Sequence, residues 1–230
     1  MPVFVNRVNA MFGTNPIRKP VKGGGQVLEV QEIFATVQGE GPRAGEPSVF
    51  VRLGGCNLAC HFCDTEFESY QPMPLDGVVA QVEALAEDGS RLVVLTGGEP
   101  FRQEIGPLCD ALLEKGYSVQ IETNGTLFRP LDARVEIVCS PKASHGTYHA
   151  LRPDVLARAT ALKFIVSAGD AAYSMIPEVG QAQHHTPVYV QPMDEQCPDK
   201  NAANLAYALA LAERSGNKVS LQLHKYFGID

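Results

Sequence analysis

The chain has 230 residues, 45% of them apolar and 20% charged, an ordinary globular mixture that can bury one full core, or two small ones, but not an array of domains. Nineteen Lys and Arg against twenty-six Asp and Glu leave a formal charge of -7, which disfavours non-specific contact with nucleic acid or an anionic membrane face. No window reaches the ~18–20 consecutive apolar residues of a membrane span, and residues 1–16 lack the core of a secretory signal, so the expected location is the cytoplasm.

Residues 1–26 contain Pro2, Pro16, Pro20, the run Gly23, Gly24, Gly25 and the basic Arg18, Lys19 and Lys22. Such a stretch interrupts regular structure and reads as an N-terminal extension without an assigned role, ahead of a single domain over 27–230. From Val27 onward short β-branched runs alternate with helical periodicity. The strand runs are 27–34, 48–54, 91–96, 118–123, 135–140, 161–167, 187–191 and 218–223. Those at 91–96 and 187–191 have little polar interruption and suit strands covered on both faces, whereas the first two alternate more and suit places nearer an edge. Apolar stripes predict helices over 76–88 and 102–115, with a weaker pattern over 170–178, and strong helix formers predict one over 201–215.

Six or seven βα-like units in about 200 residues are too few for an eight-unit barrel of ~250 residues. The expected fold class is therefore α/β, as an incomplete, open (β/α) barrel. In that architecture reactive groups gather on the rim where strands end. The unusual groups obey this rule: GGCNLACHFCDT follows 48–54, GGEP follows 91–96, NGT follows 118–123 and SPK overlaps the end of 135–140.

Cys56, Cys60 and Cys63 stand in a C-x3-C-x2-C spacing, which lets three thiolates converge from one loop. A closed zinc site wants a fourth ligand, for which His61 is the nearest candidate. The alternative is an iron–sulfur cube held at three irons, its fourth iron open to a non-protein ligand. Cys109 and Cys139 sit on apolar patterns and read as core, Cys197 lies in a polar turn, and His184 and His185 read as exposed.

The spacing C-x3-C-x-aromatic-C, here with Phe62 before Cys63, resembles the signature of the radical S-adenosylmethionine superfamily. With EIFATVQGEGPRAGEPSVFVRLGGCNLACHFCDT (32–65), LTGGEP (95–100), IETNGT (121–126), SPK (140–142), LKF (162–164), VQPMDE (190–195) and QLHKY (222–226), the chain resembles the 7-carboxy-7-deazaguanine synthase family from about residue 30 onward.

The resemblance implies a [4Fe-4S] cluster on Cys56, Cys60 and Cys63, with S-adenosylmethionine on the open iron. It places that cofactor against Phe62, Gly97, Gly98, Glu99, Thr123, Asn124, Ser140 and Lys142. It implies 6-carboxy-5,6,7,8-tetrahydropterin as substrate, bound by Gln38, Gly39, Glu40, Gly41, Arg52, Gly97, Gln191 and His224, and a magnesium ion on Thr65. The residue types agree: a guanidinium fork suits a carboxylate, amides suit a pterin edge, and a hydroxyl suits a hard cation. Several also have a plainer reading, His224 as a hydrogen-bonded packing histidine among them. GGEP and TNG can be tight turns with Glu99 as a helix cap, Gln38 to Gly41 a surface loop, Lys142 a surface lysine, and Asp64 or Thr65 a cap. The resemblance further implies a lyase that works in queuosine biosynthesis as a homodimer, with an external one-electron donor such as flavodoxin and no nucleic-acid or membrane partner.

Overall fold

Seven strands pair in parallel and keep their chain order across one sheet: β2 (Pro47–Leu53), β4 (Leu92–Gly97), β5 (Ser118–Thr123), β6 (Glu136–Cys139), β9 (Ala161–Val166), β10 (Val188–Pro192) and β11 (Lys218–Val219). β1 (Val27–Val37) adds antiparallel to β2, and β3 (Gln71–Pro74) adds antiparallel to β1 at the edge. Parallel neighbours in unbroken chain order, with crossovers on one side, are the arrangement of an open (β/α) barrel. This computed structural model describes residues 15–86 and 89–229. A two-residue pair, β7 (Ala143–Ser144) with β8 (Thr147–Tyr148), stands apart from the main sheet.

All eight strand runs read from the sequence contain a strand, and the departures have local causes. The run 218–223 yields only two strand residues, because Ser220 turns into a hydrogen-bond network and Leu223 opens the short helix α6 (Leu223–Phe227). β1 and β2 stand second and third from the β3 edge, nearer it than the middle of the sheet, in keeping with their alternation. β3 went unseen because its sequence, QPMP, has two prolines, which only an edge strand tolerates.

Helix α1 (Leu75–Leu85) matches the 76–88 stripe, whose residues 87 and 88 lie outside the described residues. Helix α2 (Gly106–Glu114) starts four residues later than predicted, since Pro100–Arg102 forms a 3-10 turn and Gln103 bonds the backbone of Glu29. Over 170–178 there is only a 3-10 turn at Ala171–Tyr173, with the Asp170 carboxylate accepting from Ala172 N. Three short helices, α3 (Pro153–Arg158), α4 (Gln181–His184) and α6, were not anticipated. Helix α5 (Pro198–Ser215) begins three residues early, on a proline suited to a first helical turn.

Strand alternation gives the sheet two unlike faces. Val49, Val51, Leu53, Val93, Leu95, Ile121, Leu162 and Phe164 join Val78, Val82, Leu108 and Leu112 of α1 and α2 in the main core. Each such side chain contributes ~1.5–3 kcal/mol by leaving water. Cys109 and Cys139 are fully buried there, as expected, and His184 and His185 are exposed. Cys197 is half-buried just before α5. The alternate positions form the other face and include Arg52, Gln120, Glu122, Lys163 and Gln191. Their polarity marks the interior of the half-barrel as something other than core.

Candidate active site

The cysteine loop leaves β2 at the sheet's C-terminal rim. Two glycines set where it lies. A Cβ on Gly97 would meet Leu53 O at 2.0 Å, and one on Gly98 would meet Gly55 O at 2.1 Å. Only glycine lets the end of β4 run this close to the backbone leading into Cys56, and Glu99 N then donates to Gly55 O at 3.0 Å. Behind the loop, buried Arg102 donates to Gly54 O at 2.8 Å and pairs with Glu29.

Cys56 is buried, while Cys60 and Cys63 are half-buried, and the three pack about Leu58 and Phe67. Burial pushes the Cys56 thiol up to about 12, with Glu99 and the other two sulfurs adding to the effect. Burial raises Cys60 and Cys63 too, and the Lys142 ammonium opposes it at both. Among the described residues, no three His, Cys, Asp or Glu side chains converge tightly enough for a single ion. A cube distributes its thiolates over separate irons, so three sulfurs around one loop fit it without such convergence. His61 does not complete a zinc set; its Nε2 lies 3.2 Å from Asp170 Oδ2.

Glu99, which the resemblance places against the cofactor, has internal partners for its carboxylate in this structure. It is fully buried and accepts from Thr123 Oγ1 at 2.8 Å, Asn124 N at 2.8 Å and Phe101 N at 3.0 Å. Burial raises its carboxyl to about 7 against those hydrogen bonds. Its place is beneath the site, joining the GGEP and TNG loops and capping the 3-10 turn. Asn124 continues the network, donating to Asn57 Oδ1 at 2.9 Å and, more weakly, to Cys56 Sγ at 3.9 Å. Lys142 is not a surface lysine: it turns inward onto Ser140, with Nζ 2.9 Å from the carbonyl oxygen, and burial lowers its affinity for a proton. Phe62 packs edge-on against Tyr173, ring centroids 5.1 Å apart, and lines a cavity of about 610 Å³ with Asp170, Met193, Glu195 and Asn204.

Gln38 and Glu40, two of the expected substrate residues, belong with Glu122 and Lys163 to a buried polar cluster whose other members sequence reasoning missed. Lys163 Nζ pairs with Glu122 at 2.9 Å and with Glu40. Burial alone would raise Glu40, but the Lys163 charge and hydrogen bonds from Lys163 and Gln222 hold it at about 2. Glu122 stays raised because burial outweighs Lys163. Gln38 Nε2 reaches Glu122 at 3.4 Å, and its Oε1 accepts from Glu40 N at 3.0 Å. Gly41 N and Gln191 Oε1 both bond Ser220 Oγ, each at 2.9 Å. A Cβ on Gly39 would strike His224 Nδ1 at 2.3 Å, which gives that glycine its reason. The 38–41 segment is therefore no plain surface loop. The signal for the missed Glu122 and Lys163 was a polar or charged residue at positions alternating with the buried apolar ones.

Arg52 shares the polar face, but its Nε already donates to Glu32 Oε1 at 2.7 Å, and the guanidinium lies 5.6 Å over the Phe34 ring. Thr65 caps no helix; its hydroxyl makes a long bond of 3.3 Å to Asp64 Oδ1. Asp64 also pairs with Lys225 at 2.5 Å, which ties the cysteine loop to α6.

A half-barrel whose rim carries three cysteines in this spacing beside a polar interior defines the class of radical S-adenosylmethionine enzymes, and residues 50–158 match the family model described as the Radical SAM superfamily. Such enzymes use a [4Fe-4S] cluster and S-adenosylmethionine. The chain is 50% identical to 7-carboxy-7-deazaguanine synthase of Rickettsia prowazekii over 97% of its own length and 99% of that protein. It is 43% identical to the synthase of Rhodospirillum rubrum, over 95% and 100%. The chain belongs to the 7-carboxy-7-deazaguanine synthase family. The crystal structure of QueE from Escherichia coli shares the fold at a TM-score of 0.68 and 24% identity, covering 86% of this chain and 95% of that one.

Proposed function

We propose that this chain is a radical S-adenosylmethionine lyase that contracts 6-carboxy-5,6,7,8-tetrahydropterin to 7-carboxy-7-deazaguanine with loss of ammonia, a step of queuosine biosynthesis. The observation that carries the assignment of residues is the buried Glu40–Lys163–Glu122 cluster, which with Gln38 and Gln191 lines the polar interior of the half-barrel beside the cysteine loop. Alternating donors and acceptors suit a flat heterocycle that presents both kinds of group on one edge. The small-molecule substrate enters here with Gln38, Glu40, Gln191 and His224 as its polar frame, Gly39 and Gly41 letting the backbone close upon it, and Arg52 directed at its carboxylate.

Cys56, Cys60 and Cys63 hold the cluster, and cluster and S-adenosylmethionine together supply, when bound, the one-electron chemistry that starts the rearrangement. The protein supplies placement. Gly97 and Gly98 bring the β4 loop against the cysteine loop, Glu99 fixes Thr123 and Asn124 from beneath, and Ser140, Lys142 and Phe62 bound the cofactor's space. Thr65 offers a hydroxyl to magnesium at the substrate. The active unit is a homodimer of single partial-barrel domains over 27–230, supplied with electrons by a donor such as flavodoxin. Among the described residues no helix is long and apolar enough to cross a membrane.

The test is anaerobic incubation of reduced, reconstituted protein with S-adenosylmethionine, magnesium and the carboxypterin, with mass spectrometry of the products. The ring-contracted product and loss of iron on changing any of the three cysteines to alanine are expected. A chain that takes up zinc but no iron under those conditions refutes the reading.

A further inference from the structure

The segment before β1 lies along the cysteine loop. Ile17 bridges Cys56 in parallel, and Arg18 N donates to Cys56 O at 2.6 Å. Val21 N donates to Arg102 O at 2.7 Å, and Arg102 Nη1 returns a bond to Lys19 O at 3.1 Å. Arg18 pairs with Glu68 at 2.6 Å beyond the last cysteine. At the head of this strap stands Asn15, only 4% exposed. Its Nδ2 donates to Thr65 O at 3.0 Å and to Cys63 Sγ at 3.5 Å. A side-chain amide nitrogen carries two hydrogens, so both bonds form together. The carbonyl of Thr65 can only accept, which fixes the amide with nitrogen toward the loop; Asn15 Oδ1, facing away, is buried without a partner among the described residues.

A donor aimed at a cluster thiolate stabilises the more negative, reduced cluster. We propose that Asn15 is a positioning residue for the cluster, holding the Cys63 thiolate and raising the cluster's reduction potential by donating to it. This rests on the assignment of Cys63 as a cluster ligand.

The experiment uses the full chain, reconstituted anaerobically, with iron counted and the cluster midpoint read by electron paramagnetic resonance in a redox titration. Asn15→Leu keeps the volume and removes the donor. At a fixed ambient potential its ratio of reduced to oxidised cluster should fall about tenfold, or about 59 mV for a one-electron couple. Arg18→Ala, which removes the exposed ion pair with Glu68 while leaving the amide and the backbone bonds of the strap, should keep the wild-type midpoint. An Asn15→Leu protein with full iron and a wild-type midpoint overturns the proposal. Should that variant shed iron, Asn15→Ser decides: retention supports the donor, and shedding in both reduces Asn15 to packing and overturns it. Wild-type protein without iron would instead refute the ligand assignment.

Discussion

Among the described residues Glu99 has no charged partner within bonding distance, only three neutral donors, and the consequence is a pH dependence of stability. Its folded carboxyl holds its proton to about 7, against 4.5 for the same group in the unfolded chain. Between these values the folded chain binds more protons than the unfolded one, so the contribution is fully present below 4.5 and is lost as pH rises through 7. The loss amounts to about 3 kcal/mol. Urea denaturation of the metal-free, reduced protein from pH 4.5 to 7.5 should therefore show wild type losing stability relative to Glu99→Gln by that order; parallel curves would remove the buried proton. Thr65 is tested differently. Thr65→Ala should keep full iron but shift the magnesium titration of turnover to at least tenfold higher concentration, and a superimposable titration would take Thr65 out of the metal site. Both residues stood in recognisable motifs, yet the sequence alone did not distinguish a carboxylate facing a ligand from one bonded beneath the loop. That distinction depends on Thr123 and Asn124, more than twenty residues away.

Alternation along strands made most of the sheet legible, because period-2 apolar runs such as SVQIET and ALKFIV bury one face whatever lies on the other. Elements held by context were not legible: β3 with its two prolines, α3 and α6 with six and five residues. The same alternation held an unused clue to the site. Gln120 and Glu122 on β5 and Lys163 on β9 occupy positions that would be apolar if the barrel interior were only core. Lys163 is 5% exposed and stands between two carboxylates. Lys163→Met should leave Glu40 and Glu122 buried and unpaired, at a cost of about 3–5 kcal/mol near pH 8. Without the lysine both carboxyls rise in pKa, so the folded variant takes up protons as pH falls and the deficit narrows toward pH 5. Equilibrium denaturation at the two pH values measures this. An equal deficit at both would mean that packing, not charge, carries the role of Lys163.

The loop after β1 and the segment after β11 meet at the rim of the half-barrel, and no local pattern announces that meeting. The loop after β1 contacts the segment after β11: Leu223 N donates to Gly39 O at 3.1 Å, Gln222 Nε2 to Glu40 Oε1 at 2.9 Å, and Gly41 N to Ser220 Oγ at 2.9 Å. Lys225 extends the closure by bridging Asp64 and Asp194, each at 2.5 Å. The residues proposed to frame the substrate thus come from positions almost two hundred apart, and pairing at that separation follows only from the curl of the sheet. Helix α6 has no fully buried residue, and its ion pairs are partly exposed, so its contribution to global stability is small. On the proposed reading its position over Gly39 and Glu40 gives it a larger share in binding. Ending the chain after Gln222 should therefore leave iron content and S-adenosylmethionine affinity close to wild type and lower the melting temperature by only a few degrees. Affinity for the carboxypterin, measured by anaerobic calorimetry, should fall at least tenfold, because His224 is lost and the Glu40 loop loses its cover. Unchanged pterin affinity in the shortened chain would show that the substrate is held deeper, by the Lys163 cluster alone, and that the closure of the rim serves another purpose.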